Sequence, residues 1–285
     1  MAEVASHRAV HDQERDCGMN HTEPKYEAFA LRYASRPGMK SEHFFHYALY
    51  QEPDTELGLD YYFWVLRNQN RTVLVDCGYN RDRALERKNR RQDVEPVELL
   101  KMIDVRPQDV DHLVISHMHH DHAGNINLFP NATVSIAKEE LAFWTGEFAG
   151  RDIMAWTVDS EDVKTVQRLA KEERLVVVDG ESDVAPGISV TRLPGHTPGQ
   201  LITHVDGLSG RLVLASDALH YYEEMDRDRP FSFFHDLEQT YRSYGELRAL
   251  RDQGSTIIAG HDPAVMTRFQ RVNDHCVDLT TQWSI

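Results

Sequence analysis

The chain has 285 residues, 41% of them hydrophobic and 27% charged. Those proportions exclude a mostly disordered chain, a collagen and a membrane bundle, and no apolar run approaches the about 18 residues that span a bilayer. Against 31 Lys and Arg stand 46 Asp and Glu, a formal net charge of −15, which repels phosphate backbones and anionic lipid and sets nucleic acid and membranes aside as partners.

Residues 1–24 are polar, carry His7, His11 and His21, and have no apolar core of a signal peptide. They read as a flexible tail before one folded domain over 25–285. The cysteines, Cys17, Cys77 and Cys276, are odd in number and far apart. They make no disulfide framework, which fits a reducing cytosol and a cytoplasmic location.

From Tyr26 to Tyr33 the pattern is strand-like, and Phe44 to Tyr50 is aromatic without a clear period. Tyr61 to Arg67 and Arg71 to Asp76 are β-rich runs joined by Asn68-Gln69-Asn70, a predicted hairpin. Glu95 to Ile103 has helical spacing with Pro96 in the first turn. His112 to Ser116 and Ala132 to Ala137 are short buried strands, followed by helices over Lys138–Trp144 and Ser160–Arg174, the second with Ser160 as its cap. Strands are predicted at Leu175–Val178, Ile188–Leu193, Leu201–Val205 and Arg211–Ala215. Asp236 to Leu250 is a helix with Leu237, Tyr241, Tyr244, Leu247 and Leu250 as its apolar stripe, and Ser255 to Ala259 is a last strand. Hairpins alternating with helices predict α/β sheets covered by helices.

Chemistry concentrates where these strands end. Ser116-His117-Met118-His119-His120-Asp121-His122-Ala123-Gly124 leaves a buried strand and places His117, His119, Asp121 and His122 within six residues. Imidazole and carboxylate donors so spaced can serve two neighbouring ions and suit zinc and similar metals. Three later strands each end on one such residue: His196 in Leu193-Pro194-Gly195-His196-Thr197-Pro198-Gly199, Asp217 after Leu214-Ala215-Ser216, and His261 after Ala259-Gly260.

In these motifs, which run from about Tyr61 to Asp262, the sequence resembles the metallo-β-lactamase-fold hydrolases. The resemblance implies a single αββα four-layer sandwich with two divalent ions, zinc by preference, at one edge of its sheets. It assigns His117, His119 and His196 to one metal and Asp121, His122 and His261 to the other, with Asp217 bridging. His120 falls at the variable position, and Asp76 matches a carboxylate that orients a ligand histidine. Oxygen- and nitric-oxide-reducing members carry Glu where His119 stands, which favours hydrolysis. Gln200 replaces the histidine that glyoxalase II-like thioesterases show after His-Thr-Pro-Gly, so the branch expected is the N-acyl-homoserine lactonase-like one, with a thioesterase or other ester hydrolase as the alternative.

A small lactone is the implied substrate and a homodimer the implied assembly. The implied chemistry is attack on the lactone carbonyl by a hydroxide shared between the metals. Asp121 would pass a proton to the departing ring oxygen. Lactonases of this branch place a tyrosine three residues after the bridging aspartate. Here that position is His220, followed by Tyr221 and Tyr222, and any of the three is a candidate to hydrogen-bond the oxyanion.

Overall fold

The computed structural model describes residues 25–86 and 92–282, so the N-terminal tail expected over 1–24 lies outside the described residues. In chain order the strands are β1 (Glu27–Arg36), β2 (Leu59–Asn68), β3 (Arg71–Val75), β4 (His112–Val114), β5 (Thr133–Ala137), β6 (Leu175–Val178), β7 (Glu181–Ala185), β8 (Ile188–Arg192), β9 (Leu201–Gly207), β10 (Gly210–Ser216), β11 (Thr256–Ala259), β12 (Phe269–Asn273) and β13 (Cys276–Gln282). The helices are α1 (Lys40–His43), α2 (Arg81–Glu86), α3 (Pro96–Lys101), α4 (His120–Ala123), α5 (Lys138–Trp144), α6 (Asp152–Ala155), α7 (Ser160–Lys171), α8 (Tyr222–Arg227), α9 (Leu237–Asp252) and α10 (Val265–Arg268). One sheet has eight strands in the order β12-β13-β1-β2-β3-β4-β5-β6, the other five in the order β11-β10-β9-β8-β7.

Strand β2 shows why the layers stack. Its first eight residues are all buried, and period-2 alternation sends them to opposite faces. Tyr62, Trp64 and Leu66 join Val190, Leu201 and Leu212 between the sheets. Tyr61, Phe63 and Val65 join Leu99, Leu100, Trp144 and Val166 beneath the outer helices. On the far side Met225, Tyr244 and Leu247 cover the smaller sheet. This is the expected αββα sandwich, and each fully buried side chain of this size contributes about 1.5–3 kcal/mol.

The strand directions place the site. In the larger sheet β3 and β4 run parallel. In the smaller sheet β10 and β11 are parallel, and β9 runs antiparallel to both β10 and β8. The C-terminal ends of β3, β4, β8, β10 and β11 therefore open onto one edge. Two residues leave those ends with left-handed backbones that non-glycine residues rarely adopt, Asp76 at φ 61° and Ser216 at φ 45°.

Several sequence expectations shift. The cap of α7 is Asp159, which accepts from the Glu161 amide, rather than Ser160, and the helix stops at Lys171. The buried face of α9 is Thr240, Ser243, Tyr244 and Leu247, whereas Tyr241 is 40% exposed. Cys77 and Cys276 are buried free thiols.

Candidate metal centre

Each candidate ligand follows a strand end on this edge. Val75 ends β3 just before Asp76. The loop after β4 carries His117 and His119, and α4 starts at His120, which puts Asp121 and His122 in a single turn. His196 follows β8, Asp217 follows β10 and His261 follows β11. Only glycine fits at position 260, because a Cβ there would lie 2.5 Å from the Ser216 carbonyl oxygen and 3.1 Å from Asp217 Oδ1.

The side chains converge as two groups, His117–His119–His196–Asp217 and Asp121–His122–His261, with donor atoms inside each group within 4.8 Å of one another. Asp217 faces both. Its Oδ2 lies 3.3 Å from His196 Nε2 and 3.8 Å from His117 Nε2. Its Oδ1 lies 3.1 Å from His261 Nε2 and 3.2 Å from His122 Nε2. Asp121 Oδ2 completes the second group, 3.9 Å from His122 Nε2 and 4.0 Å from His261 Nε2.

The donor set fits divalent cations. His117 Nε2, His122 Nε2 and Asp217 Oδ1 are buried and make no hydrogen bond, a costly state for polar atoms unless a cation is their partner. His119 Nδ1 and His196 Nε2 face each other at 2.9 Å. Six imidazole and carboxylate side chains and one two-faced carboxylate form a donor set that could hold two divalent cations.

In His117, His122, His196 and His261 the other ring nitrogen meets a fixed partner, which sets the edge each of these rings turns inward. His122 Nδ1 lies 2.7 Å from Asp76 Oδ2. The same oxygen accepts from Ser116 Oγ at 2.8 Å and Ser216 Oγ at 3.1 Å, while Asp76 Oδ1 accepts from the Ser116 amide at 2.8 Å. His117 Nδ1 meets Ser116 Oγ at 3.0 Å. Main-chain oxygens hold two more rings: Asp60 at 2.6 Å from His261 Nδ1 and Phe233 at 3.2 Å from His196 Nδ1. His120 belongs to neither donor group and lines the cleft beside them, its Nδ1 on the Thr157 carbonyl at 3.0 Å.

The buried imidazoles and carboxylates shift one another's ionisation. Burial holds His117 and His196 well below the usual imidazole range and His119 down to about 3. Burial also opposes the charges on Asp217 and Asp121, but the surrounding imidazoles outweigh it and hold both carboxyls low. For His122, burial is outweighed by Asp217, Asp76 and Asp121, so its pKa is well above normal. A divalent cation replaces such protons when it binds.

A cleft of about 250 Å³ opens over the donors. Leu59, Tyr61, Trp156, Phe231 and Phe233 form apolar walls, and Arg36 and Glu42 add a charged portion. Of the three candidates after Asp217, His220 alone lines this cleft. The Tyr221 hydroxyl donates to the Gly58 carbonyl at 3.1 Å, and Tyr222 is packed between the sheet core and the Arg268 guanidinium, 3.7 Å from its ring centre. Both tyrosines sit outside the cleft because Tyr221 is the N-cap of α8 and Tyr222 its first residue.

Sequence reasoning missed Glu140. This fully buried carboxylate accepts from the Met118 amide at 2.9 Å, Trp144 Nε1 at 2.6 Å and the Gly199 amide at 3.0 Å. It ties the His117–His119 loop to the His196–Gly199 loop. A Cβ at Gly199 would come within 2.3 Å of the Glu140 amide nitrogen, so this approach needs glycine. Trp156, 50% exposed and edge-on to Phe233 at 5.7 Å, was missed as well.

Residues 58–261 match the Metallo-beta-lactamase superfamily. The chain belongs to that superfamily. Among its curated relatives within the superfamily, an N-acyl homoserine lactonase AttM of Azorhizobium caulinodans is 30% identical over 185 residues, covering 64% of this chain and 69% of the relative. An N-acyl homoserine lactonase of Bacillus cereus is 24% identical over 226 residues, 74% of this chain and 84% of the relative. The fold matches the crystal structure of a quorum-quenching N-acyl homoserine lactone lactonase with a TM-score of 0.71 at 21% identity, covering 90% of this chain and 99% of that one. AidC, a dizinc quorum-quenching lactonase, aligns with a TM-score of 0.67 at 17% identity over 92% of this chain and 97% of that one.

Proposed function

We propose that this chain is a zinc-dependent lactonase that hydrolyses the ring ester of N-acyl homoserine lactones or related small lactones. The observation that carries this reading is Asp217, whose two oxygens face two separate donor groups at the floor of a cleft with apolar walls. The lactonase relatives support the choice of ester. The ligands are His117, His119 and His196 on one side, Asp121, His122 and His261 on the other, and Asp217 between. Imidazole and carboxylate without thiolate suit zinc.

When bound, the two cations supply Lewis-acid polarisation of the carbonyl and a water acidic enough to be a nucleophile near neutral pH. The protein does the rest. Leu59, Phe231, Phe233 and Trp156 orient the substrate's apolar part and exclude water from the cleft. His220 Nε2, 3.1 Å from Asp217 Oδ2, faces the carbonyl side and donates a hydrogen bond to the oxygen on which charge develops. Asp121 Oδ2 belongs to the His122–His261 group and its Oδ1 lies 3.6 Å from His120 Nδ1. Asp121 would pass the proton given up by the attacking water to the leaving ring oxygen. A homodimer and a cytosolic location belong to the same reading.

Proton release in weak buffer tests it. Zinc-loaded protein should open acyl-homoserine lactones or simple γ-lactones while glutathione thioesters stay intact. Thioester turnover with silent lactones would replace this reading with a thioesterase on the same scaffold.

A further inference from the structure

We propose that Glu224 and Tyr244 are positioning residues that set which edge of the His220 imidazole faces Asp217 and the cleft. This rests on the lactonase reading, in which His220 contacts the substrate. His220 is 2% exposed and lies flat on Phe231, ring centres 3.8 Å apart and planes 12° from parallel. That stack fixes the plane of the ring but not its flip. Turning it over would exchange nitrogens for C–H groups at both ends while keeping the stack.

The choice is made at the ring's other edge. Glu224 is four residues on, in the first turn of α8, and its Oε1 lies 3.4 Å from His220 Nδ1. The same oxygen accepts from the Tyr221 amide at 2.8 Å. Its second oxygen accepts from the Tyr244 hydroxyl at 2.6 Å, so α9 holds the carboxylate from behind. Glu224 is 1% exposed and Tyr244 likewise. With one carboxylate on Nδ1, the flip that leaves Nε2 at 3.1 Å from Asp217 Oδ2 is the favoured one. Neither ring nitrogen makes a hydrogen bond of good geometry in this state, and such contacts tighten when substrate binds. A cap for α8 needs only the Oε1–Tyr221 contact. The Tyr244 hydroxyl on Oε2 is the part a cap does not explain.

The test is a double-mutant cycle with Tyr244→Phe and His220→Gln on the zinc-loaded full chain. Tyr244→Phe removes one oxygen and leaves the ring in the core. It should lower kcat about tenfold, the equivalent of about 1.4 kcal/mol, with KM little changed. In the His220→Gln background the same change should leave kcat within about twofold. An equal loss in both backgrounds would overturn the proposal, because the hydroxyl would then act independently of His220. A second readout needs no turnover. In metal-free protein labelled with 15N-histidine, the His220 ring signals, identified by their absence in His220→Gln, should shift in Tyr244→Phe. Unmoved signals would overturn the proposal too. Should the wild type open no lactone, the lactonase reading fails while the NMR result still decides the positioning role.

Discussion

The Asp121–His122–His261 group is held from the interior of the larger sheet: a carboxylate at the end of β3 grips His122, and the main chain at the start of β2 grips His261. The His117–His119–His196 group is held across the layers. A serine hydroxyl meets His117, the Phe233 carbonyl meets His196, and Glu140 pins the two ligand loops to one another. One half depends on a single charged anchor and the other on several neutral contacts plus a loop clamp. The two halves should therefore come apart differently when their supports are removed.

The largest effect should come from the group they share. Asp217→Asn removes charge from both halves, so both metals should be lost and kcat/KM should fall by at least about a thousandfold, checked by metal analysis beside turnover. Full activity with one ion would break the shared-carboxylate account. Asp76→Asn acts next. It removes the anionic acceptor of His122 and reaches His117 only through Ser116. Metal affinity should fall about 10–100-fold, with the second group's ion leaving first in a chelator titration. Glu140→Gln turns a donor toward either the Gly199 amide or the Met118–Trp144 pair. It should cost about 1–3 kcal/mol of stability and weaken mainly the ion at His117–His119–His196. Equal weakening of both ions would remove the distinction between the halves.

The last effect lies beside the cleft and shows only as pH falls. Burial, with the Arg36 charge second, holds the His43 imidazole down to about 4. The unfolded chain therefore takes up its proton first as pH falls below the ordinary value near 6.5. The His43 contribution is complete above that pH, declines toward pH 4 by at most about 1.4 kcal/mol per unit, and is lost below it. Urea midpoints of His43→Gln should fall less steeply than wild type between pH 6.5 and 4. Parallel slopes would show that His43 does not report this burial.

Much of the candidate donor set was legible because its members are local features: a compact H-x-H-x-D-H run and single residues that follow apolar strands. The strand over Tyr61–Arg67 was legible for the same reason, since aromatic and β-branched residues ran together; that both of its faces are buried came from the packing. Strands β7, β12 and β13 were not. Glu181–Ala185 and Phe269–Asn273 are exposed along much of their length, so they carry no hydrophobic alternation to read. The stripe of α9 was misplaced at Tyr241 because Thr240 and Ser243, both polar, occupy its buried face.

Local periodicity in the sequence was enough to read alternating strands and helices and to find metal-ligand side chains where apolar strands end, because both are properties of neighbouring residues. The αββα class, the superfamily and the grouping of the seven candidate ligands came through the resemblance those motifs carry. Only the tertiary structure decided which of His220, Tyr221 and Tyr222 faces the cleft. Three adjacent side chains at a strand-to-helix corner point three ways, and the start of α8 at Tyr222 fixes which goes where. It also brought Glu140 and Tyr244 to their partners: Tyr244 meets Glu224 from 20 residues away, and Glu140 meets Met118 and Gly199 from 22 and 59 residues away. Contacts of that span arise only when separate elements pack, and no local pattern announces them.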